Sequence, residues 1–268
     1  MPPPAISQPK LALATAKSLL WPWFLAWTAL ACFVLPFGIG THHAETWISN
    51  PGLRGAVAAI LGAFDTLWII LAAANVYVFA MEREGREVAR CWGIGLVLAL
   101  GALSWIGATT GFPFGSFTLM ARLGLRLGTS LSLAAVLLWL TLLLASRYTA
   151  LAFFPRARGW NLALGAAALV VLSDLNLEPI AWNVRSYWWW YPQLQPPDLP
   201  SWPPLQNFLA WGVIAFLLTL WMDRVRASRP VPPRPGPGEA FPLKPLLILA
   251  MLNGVWLWVH LSRFLKLA

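Results

Sequence analysis

Residues 160–179 read WNLALGAAALVVLSDLNLEP, an apolar run that ends in a polar segment with two carboxylic acids. The run from 160 to 177 is close to the roughly 20 mostly apolar residues that a helix needs to cross a bilayer. The whole chain shares this character, because 59% of its 268 residues are hydrophobic and 11% are charged, whereas a soluble domain carries about 25% charged residues. The sequence therefore predicts an all-α, polytopic integral membrane protein.

Apolar stretches of spanning length occur about seven times along the chain, and we predict a transmembrane helix in each. Their ranges are 19–40, 56–80, 91–108, 129–146, 160–177, 205–222 and 245–262. Together they predict a single transmembrane helical domain over 1–268, with a tail at 1–18 and a Pro-rich linker at 229–243. Repeated prolines prevent a helix in that linker, so we expect an extended connector there.

Positive charge is distributed unevenly between the two ends of the predicted helices. Thirteen of the 19 Lys and Arg residues fall on the side that holds the N-terminus, and six fall on the other. Because cytoplasmic loops retain positive charge, we predict a multi-pass protein of the cytoplasmic (inner) membrane whose N-terminus, tail and Pro-rich linker are cytoplasmic. This orientation and attraction to anionic lipid headgroups account for the net charge of +9 without a nucleic-acid partner.

Ionisable residues at membrane depth point to function, because each costs a few kcal/mol or more there. Asp174 and Glu178 lie four residues apart near the outer end of the fifth predicted span, so they share a helix face, and Pro179 predicts that the helix ends just after them. Two such carboxyls in an apolar setting cannot both ionise cheaply, so one is expected to keep its proton as an acid while the other acts as a base. The alternative is that Asp174 bonds a neighbouring helix and Glu178 faces water. Asp65, about nine residues into the second span, is predicted near the bilayer centre.

Aromatic residues follow the acidic pair closely. Trp182 comes first and is followed by Tyr187, Trp188 and Trp190, in a chain with 18 Trp. An aromatic belt at the membrane interface explains single rings. A cluster of rings beside an acid also attracts a cation within about 6 Å, so it suits a reaction that passes through a carbocation.

Three short blocks occur in order between residues 100 and 215. They are Gly107-x-x-Thr110-Gly111-Phe112-Pro113-Phe114-Gly115, then Asp174-Leu175-x-Leu177-Glu178-Pro179 followed by Tyr187-Trp188-x-Trp190, and finally Pro204-Leu205-x-Asn207-Phe208-x-x-Trp211. In order and spacing these blocks resemble the membrane carotenoid-biosynthesis protein family, which includes the CruF-type carotenoid hydratases and bisanhydrobacterioruberin hydratase. Three positions depart from the family pattern. Ser104 stands where an acid is expected, Phe117 replaces Tyr, and Glu178 replaces Asp.

The resemblance implies addition of water to the terminal double bond of an acyclic carotenoid end, which gives a tertiary alcohol without a cofactor or a metal. The partners would be an acyclic carotenoid, water and membrane lipid. An alkene is a poor base, so a positioned carboxylic acid must deliver the proton. The predicted catalytic residues are Asp174, Glu178 and Asp65. The predicted substrate-binding residues are Thr110, Gly111, Pro113, Phe114, Gly115, Trp182, Tyr187, Trp188, Trp190, Asn207, Phe208 and Trp211.

Two other functions stay open at this point. A lycopene-cyclase-type enzyme begins with the same protonation, and a non-catalytic carotenoid- or lipid-binding protein would use the acids structurally. A metal site at His42, His43 and Glu45 is a minor alternative, because adjacent histidines point in different directions. Three histidines are too few for the His-rich iron sites of membrane desaturases, and no Gly-rich dinucleotide motif is present.

Overall fold

The computed structural model describes residues 8–124, 126–191, 203–229 and 243–267, with side chains from residue 19 onward. Within these ranges the chain forms eight helices: α1 (Gln8–Val34), α2 (Thr41–Trp47), α3 (Pro51–Glu84), α4 (Arg86–Thr110), α5 (Leu133–Phe153), α6 (Gly159–Asn183), α7 (Leu205–Ala227) and α8 (Leu243–Phe264). It also forms four short strands: β1 (Phe117–Leu119), β2 (Arg126–Leu127), β3 (Leu131–Ser132) and β4 (Trp188–Trp190).

Six helices in the described part of the chain, α3 to α8, are long and apolar enough to cross a membrane. The prediction of an all-α, polytopic membrane protein is therefore confirmed. The first predicted span falls in α1, whose described side chains form a shorter apolar stretch, Leu19–Val34. α1 begins at Gln8, inside the predicted tail, and α2 was not predicted. Most of the Pro-rich linker, residues 230–242, lies outside the described residues.

α5 is the central helix of the bundle. Its sequence is apolar on every side, and a helix of that kind is stable where neighbouring helices surround it. Nearly all of its side chains are buried, and it contacts α3, α4, α6, α7 and α8. It begins where the Ser132 hydroxyl accepts a hydrogen bond from the Ala135 N–H at 3.2 Å, which caps the helix. The other helices therefore pack against α5, and this packing positions their polar residues.

Ion pairs gather at both ends of the bundle. At one end the buried Arg147 on α5 binds Asp223 on α7 and lies 3.6 Å from Glu84, which also binds Arg226. At the opposite end Arg185, which follows α6, donates two hydrogen bonds to Asp65 on α3. Arg147 and Arg226 belong to the thirteen basic residues predicted on the side of the N-terminus and Arg185 to the six on the other side, and the structure likewise places them at opposite ends of the bundle.

A small antiparallel sheet joins the first two sequence blocks. β1 pairs with β4, so that Phe117 lies opposite Trp190 and Leu119 opposite Trp188. α6 continues to Asn183, so the prediction that Pro179 ends this helix is wrong. A proline inside a helix removes one backbone hydrogen bond, and here the buried side chains of the last turn stabilise the helix beyond it. The longer α6 places its end next to the sheet.

Candidate active site

Asp174 and Glu178 face the interior of the bundle and are almost fully buried. The amide of Asn207, from the start of α7, lies between them. Its Nδ2 donates to Asp174 Oδ2 at 3.0 Å and to Glu178 Oε1 at 3.1 Å. The predicted shared helix face is confirmed, and the third sequence block supplies the residue that bridges the two carboxyls.

Glu178 also receives two indole hydrogen bonds from β4. Trp188 Nε1 and Trp190 Nε1 each lie 3.0 Å from Glu178 Oε2. Alternate residues of a strand point to the same face, so both indoles reach the same oxygen while Trp189 points away and is partly exposed. Glu178 thus accepts three N–H donors. By contrast Asp174 Oδ1 is buried and has no hydrogen-bond partner among the described residues.

A small cavity of about 30 Å³ borders Glu178. A water molecule needs at least roughly 10 to 15 Å³ by this measure, so the cavity has room for water beside the carboxyl. The three positions that depart from the family pattern, Ser104, Phe117 and Glu178, all line this cavity. The lining residues are Ser104, Phe117, Leu119, Ala135, Trp139, Glu178, Trp188, Trp190, Asn207 and Trp211.

Aromatic rings that line this cavity contact one another directly or through Phe114, which lies outside the lining. Trp139 stacks on Trp211 with ring centroids 3.4 Å apart, and Trp211 stacks on Phe114 at 4.8 Å. Phe114 meets Phe117 edge-on at 6.3 Å, and Phe117 lies 5.3 Å from Trp190. The faces of such rings attract positive charge. The cavity therefore combines the Glu178 carboxyl, space for water and ring faces that stabilise a cation, while Asp174 does not line it and is connected to it through Asn207.

The turn after α4 holds Phe114 against these rings. Gly111 ends the helix in the left-handed conformation with φ of 76°, and the Thr110 hydroxyl accepts a hydrogen bond from the Phe112 N–H at 3.1 Å. Gly115 has φ of 104°, and a Cβ there would lie 2.5 Å from Pro204. Pro113 presents its carbonyl to Gln206. These turn residues shape the site without lining its cavity.

Asp65 is not part of the cavity. It binds Arg185, and Arg122 lies 3.9 Å from it. That Asp65 lies near the bilayer centre stays a prediction. α3 starts at Pro51 and has 34 residues, so it is about 50 Å long, and counting from a predicted start at residue 56 could not set its depth. Tyr187 lies beside this pair, and burial together with the Asp65 charge raises the pKa of its phenol.

Three further predicted residues lie away from the carboxyl pair or its cavity. Tyr187 is directed to Asp65 and Arg185, which leaves Trp188 and Trp190 as the β4 rings at the site. Trp182 is buried in α6 but does not line the cavity, and Phe208 lies in a groove between α6 and α7.

Sequence reasoning missed several cavity residues, above all Trp139. This ring lies in the first third of α5, where a tryptophan in an apolar span resembles any other packing residue. Leu119 and Ala135 carried no signal at all. Phe117 and Ser104 were not predicted as site residues. Their departure from the family pattern is the sequence signal that could have identified them.

The histidines near the end of α1 do not form a metal site in the structure. His43 Nδ1 accepts a hydrogen bond from the Gly40 N–H at 3.1 Å, which closes the start of α2. Among the described residues, no group of three His, Cys, Asp or Glu side chains could hold a metal ion.

These features define a polytopic membrane protein with a buried carboxyl pair near one end of its helical bundle. A comparison with models of known protein families identifies the family to which the chain belongs. The chain belongs to the carotenoid biosynthesis protein family, whose model matches residues 64–266. That range contains all three sequence blocks and both carboxyls of the pair. No curated protein and no solved structure matches the chain.

Replacing Gly107 with Ala is expected to disturb the aromatic contacts around Phe114. A Cβ at this position would lie 2.6 Å from a ring carbon of Phe114, so that ring must leave its place against Trp211. We expect a loss of about 1–3 kcal/mol in the free energy of unfolding, the usual cost of overpacking. Denaturation of the purified protein in mixed micelles measures it.

Gly101→Ala is the matched control in the same helix. A Cβ on Gly101 would meet no atom within 4 Å, and alanine favours a helix over glycine by about 1 kcal/mol. Its stability should therefore stay unchanged or rise. Equal stability of the Gly107 and Gly101 variants would show that Phe114 is free to move.

Proposed function

We propose that this protein is a CruF-type carotenoid hydratase that adds water to the terminal double bond of an acyclic carotenoid end. The observation that supports this most is the buried Asp174 and Glu178 pair, which Asn207 bridges, with Glu178 and Asn207 lining an aromatic cavity that has room for water. A protonated carboxyl is the group that an alkene requires as its acid. Membership in the carotenoid biosynthesis family supports the substrate class.

In this proposal the two acids have different roles, which their different hydrogen bonds support. Three N–H donors on Glu178 stabilise its charged form, so Glu178 is the carboxylate. Oδ1 of Asp174 accepts no hydrogen bond, so a proton can bind to this oxygen without breaking one. Asp174 is therefore the acid in this proposal. The two carboxyls share one proton, because both cannot ionise cheaply in this setting.

The reaction then proceeds in two balanced steps. The proton of Asp174 adds to the CH carbon of the terminal double bond, and the carbon that bears the two methyl groups becomes a tertiary cation. Ring faces of Trp139, Trp211 and Trp190, with the Glu178 charge, stabilise that cation. A water from the cavity bonds to the cationic carbon, and its extra proton returns to the carboxyl pair. The sum is one water added, with no oxidation or reduction.

Ser104 and Asn207 are placed to orient the water. Both line the cavity beside Glu178. The Asn207 Nδ2 is occupied by the carboxyls, which leaves its carbonyl oxygen as an acceptor for a water hydrogen. The Ser104 hydroxyl both donates and accepts. Serine in place of the expected acid thus keeps a polar group at the cavity, and Asp174 and Glu178 carry out the proton transfer.

Asp65 holds the site in position in this proposal. Arg185 is fully buried, bonds Asp65 and lies three residues before Trp188, which donates to Glu178. The ion pair therefore ties α3 to the segment that carries the indole donors. Asp65 does not contact the carboxyl pair, so we assign it no proton transfer.

Incubation of the purified protein with an acyclic carotenoid in water enriched in heavy oxygen tests the function. We expect a tertiary alcohol that carries the heavy isotope, identified by mass spectrometry of the extracted carotenoid. A protein inactivated by heating is the control. A cyclic isomer without added oxygen would indicate a cyclase, and bound but unchanged carotenoid would indicate a binding protein; either result contradicts the proposal.

A further inference from the structure

We propose that the Phe117 ring is the movable cover of the cavity beside Glu178, and that the end group of the substrate enters past it. This inference rests on the proposed function, because it names the route to the same site. The cavity encloses about 30 Å³, which is room for about two water molecules at roughly 10 to 15 Å³ each. An isopropylidene end adds four carbon atoms, each roughly the size of a water molecule, so a lining side chain must move before that end reaches Glu178.

Phe117 is the outermost part of the cavity lining. Of the ten described residues that line the cavity, nine are buried and Phe117 alone is partly exposed. Phe117 and Leu119 alternate with Thr118 on β1, so both side chains point to the cavity face of the strand. Leu119 is 4% exposed and lies inside the protein. The Phe117 ring therefore closes the cavity toward the protein surface.

The Phe117 ring can leave its place without breaking a hydrogen bond. It meets Phe114 edge-on with ring centroids 6.3 Å apart and lies 5.3 Å from the Trp190 ring. A phenyl side chain has no donor or acceptor that needs a partner. Rotation about the Cα–Cβ bond of Phe117 would move the ring while its backbone stays paired with Trp190 in the sheet.

The other large rings of the lining are held more firmly. The two β4 indoles each donate a hydrogen bond to Glu178, so their movement would remove two donors from the carboxylate. Trp139 and Trp211 are buried and stack with ring centroids 3.4 Å apart. Among the described lining residues, Phe117 is therefore the ring whose displacement opens the cavity at the least cost.

The route past Phe117 runs between β1 and α4. A Cβ on Gly107 of α4 would lie 3.1 Å from Phe117 Cε1, so the ring rests directly on the helix at a position without a side chain. Ser104 precedes Gly107 by three residues on the same helix face, lines the cavity and is 7% exposed. A reactive group at position 104 would therefore lie behind the ring and report its movement.

The test measures how fast the thiol introduced by Ser104→Cys reacts with methyl methanethiosulfonate, a small neutral reagent. The full-length protein is labelled in detergent micelles, with Phe117 intact and in combination with Phe117→Ala, and mass spectrometry of its peptides quantifies the label. Cys32 and Cys91 stay in place, because both are partly exposed and report any general loosening of the fold. Phe117→Leu is a milder second variant in case the alanine variant does not accumulate.

Leu119→Ala is the matched control on the same strand. It removes a large side chain from the same lining but leaves the Phe117 ring in place. A minor open conformation is typically populated to about 10% or less, and labelling scales with that fraction, so Phe117→Ala should speed labelling at position 104 by roughly 10-fold or more. Leu119→Ala should change this rate little, and the two native cysteines should react equally in all variants. Equal acceleration by both substitutions, or none by Phe117→Ala, would overturn the assignment of the cover.

Lycopene and β-carotene then test which end group passes the cover. Lycopene has acyclic ends, whereas β-carotene has the same number of carbon atoms but bulkier ring ends. With Phe117 intact, lycopene should slow labelling at position 104 because its end group fills the opened cavity, and β-carotene should not. Equal labelling rates with the two carotenoids would overturn entry of the acyclic end past Phe117. Should the unaltered protein form no alcohol from lycopene, the hydratase proposal fails while the labelling rates still test the cover.

Discussion

Asp174→Asn and Glu178→Gln should each lower turnover of an acyclic carotenoid by roughly 100- to 10,000-fold, the range that a positioned acid or base contributes. Asparagine cannot deliver the proton, and glutamine removes the charge that three N–H donors and the developing cation require. The NH2 group of glutamine would also face N–H donors in place of a carboxylate oxygen that accepts their hydrogen bonds. Initial rates of tertiary alcohol formation, normalised to folded protein, measure the effect.

Two controls separate chemistry from folding. Glu87→Gln removes an exposed carboxyl at the start of α4, and its turnover should equal that of the unaltered protein. Asp65→Asn breaks the buried pair with Arg185, so it should reduce the amount of folded protein more than the rate per folded molecule. Full turnover in both Asp174→Asn and Glu178→Gln would end the hydratase proposal. A loss confined to Asp65→Asn would move the acid to α3.

Replacing Arg147 with Met should lower the free energy of unfolding by about 3–5 kcal/mol, since removal of one member of a buried ion pair leaves an uncompensated charge. Arg147 is fully buried, binds Asp223, approaches Glu84 and lies 4.7 Å above the Trp92 ring. Methionine fills much of the space but carries no charge, so Asp223 and Glu84 each lose a cation, and Glu84 keeps Arg226. Denaturation in mixed micelles measures the loss.

Arg229→Met is the matched control at the same end of the bundle. Arg229 meets Glu87 at 3.8 Å, but the Glu87 side chain is 73% exposed. Exposed pairs contribute about 0–1 kcal/mol, so the control should change stability little. A change below 1 kcal/mol in Arg147→Met would mean that the charge cluster does not stabilise the fold.

Local patterns were enough to predict the class of fold. Apolar runs of spanning length recur along the chain, and six of them form helices that can cross a bilayer. The i,i+4 spacing of Asp174 and Glu178 was also sufficient to place both on one helix face. Helix ends were less predictable. Pro179 signals a boundary locally, yet burial of Ile180, Ala181 and Trp182 keeps α6 helical to Asn183.

Local sequence patterns could not predict which residues bind the acids. Asp65 and Arg185 are 120 residues apart, so only the packing of α3 against the end of α6 pairs them. Trp139 enters the cavity because α5 occupies the centre of the bundle, and an apolar span has no local mark of that position.

The membrane class, the helical stretches and the family blocks could be predicted from the sequence, because they depend on hydrophobicity and spacing along one chain. Tertiary structure alone decided which acid meets Asn207 and the β4 indoles, and which acid meets an arginine. Burial makes an isolated charge costly, so the role of each carboxyl follows from the donors that the folded chain places around it.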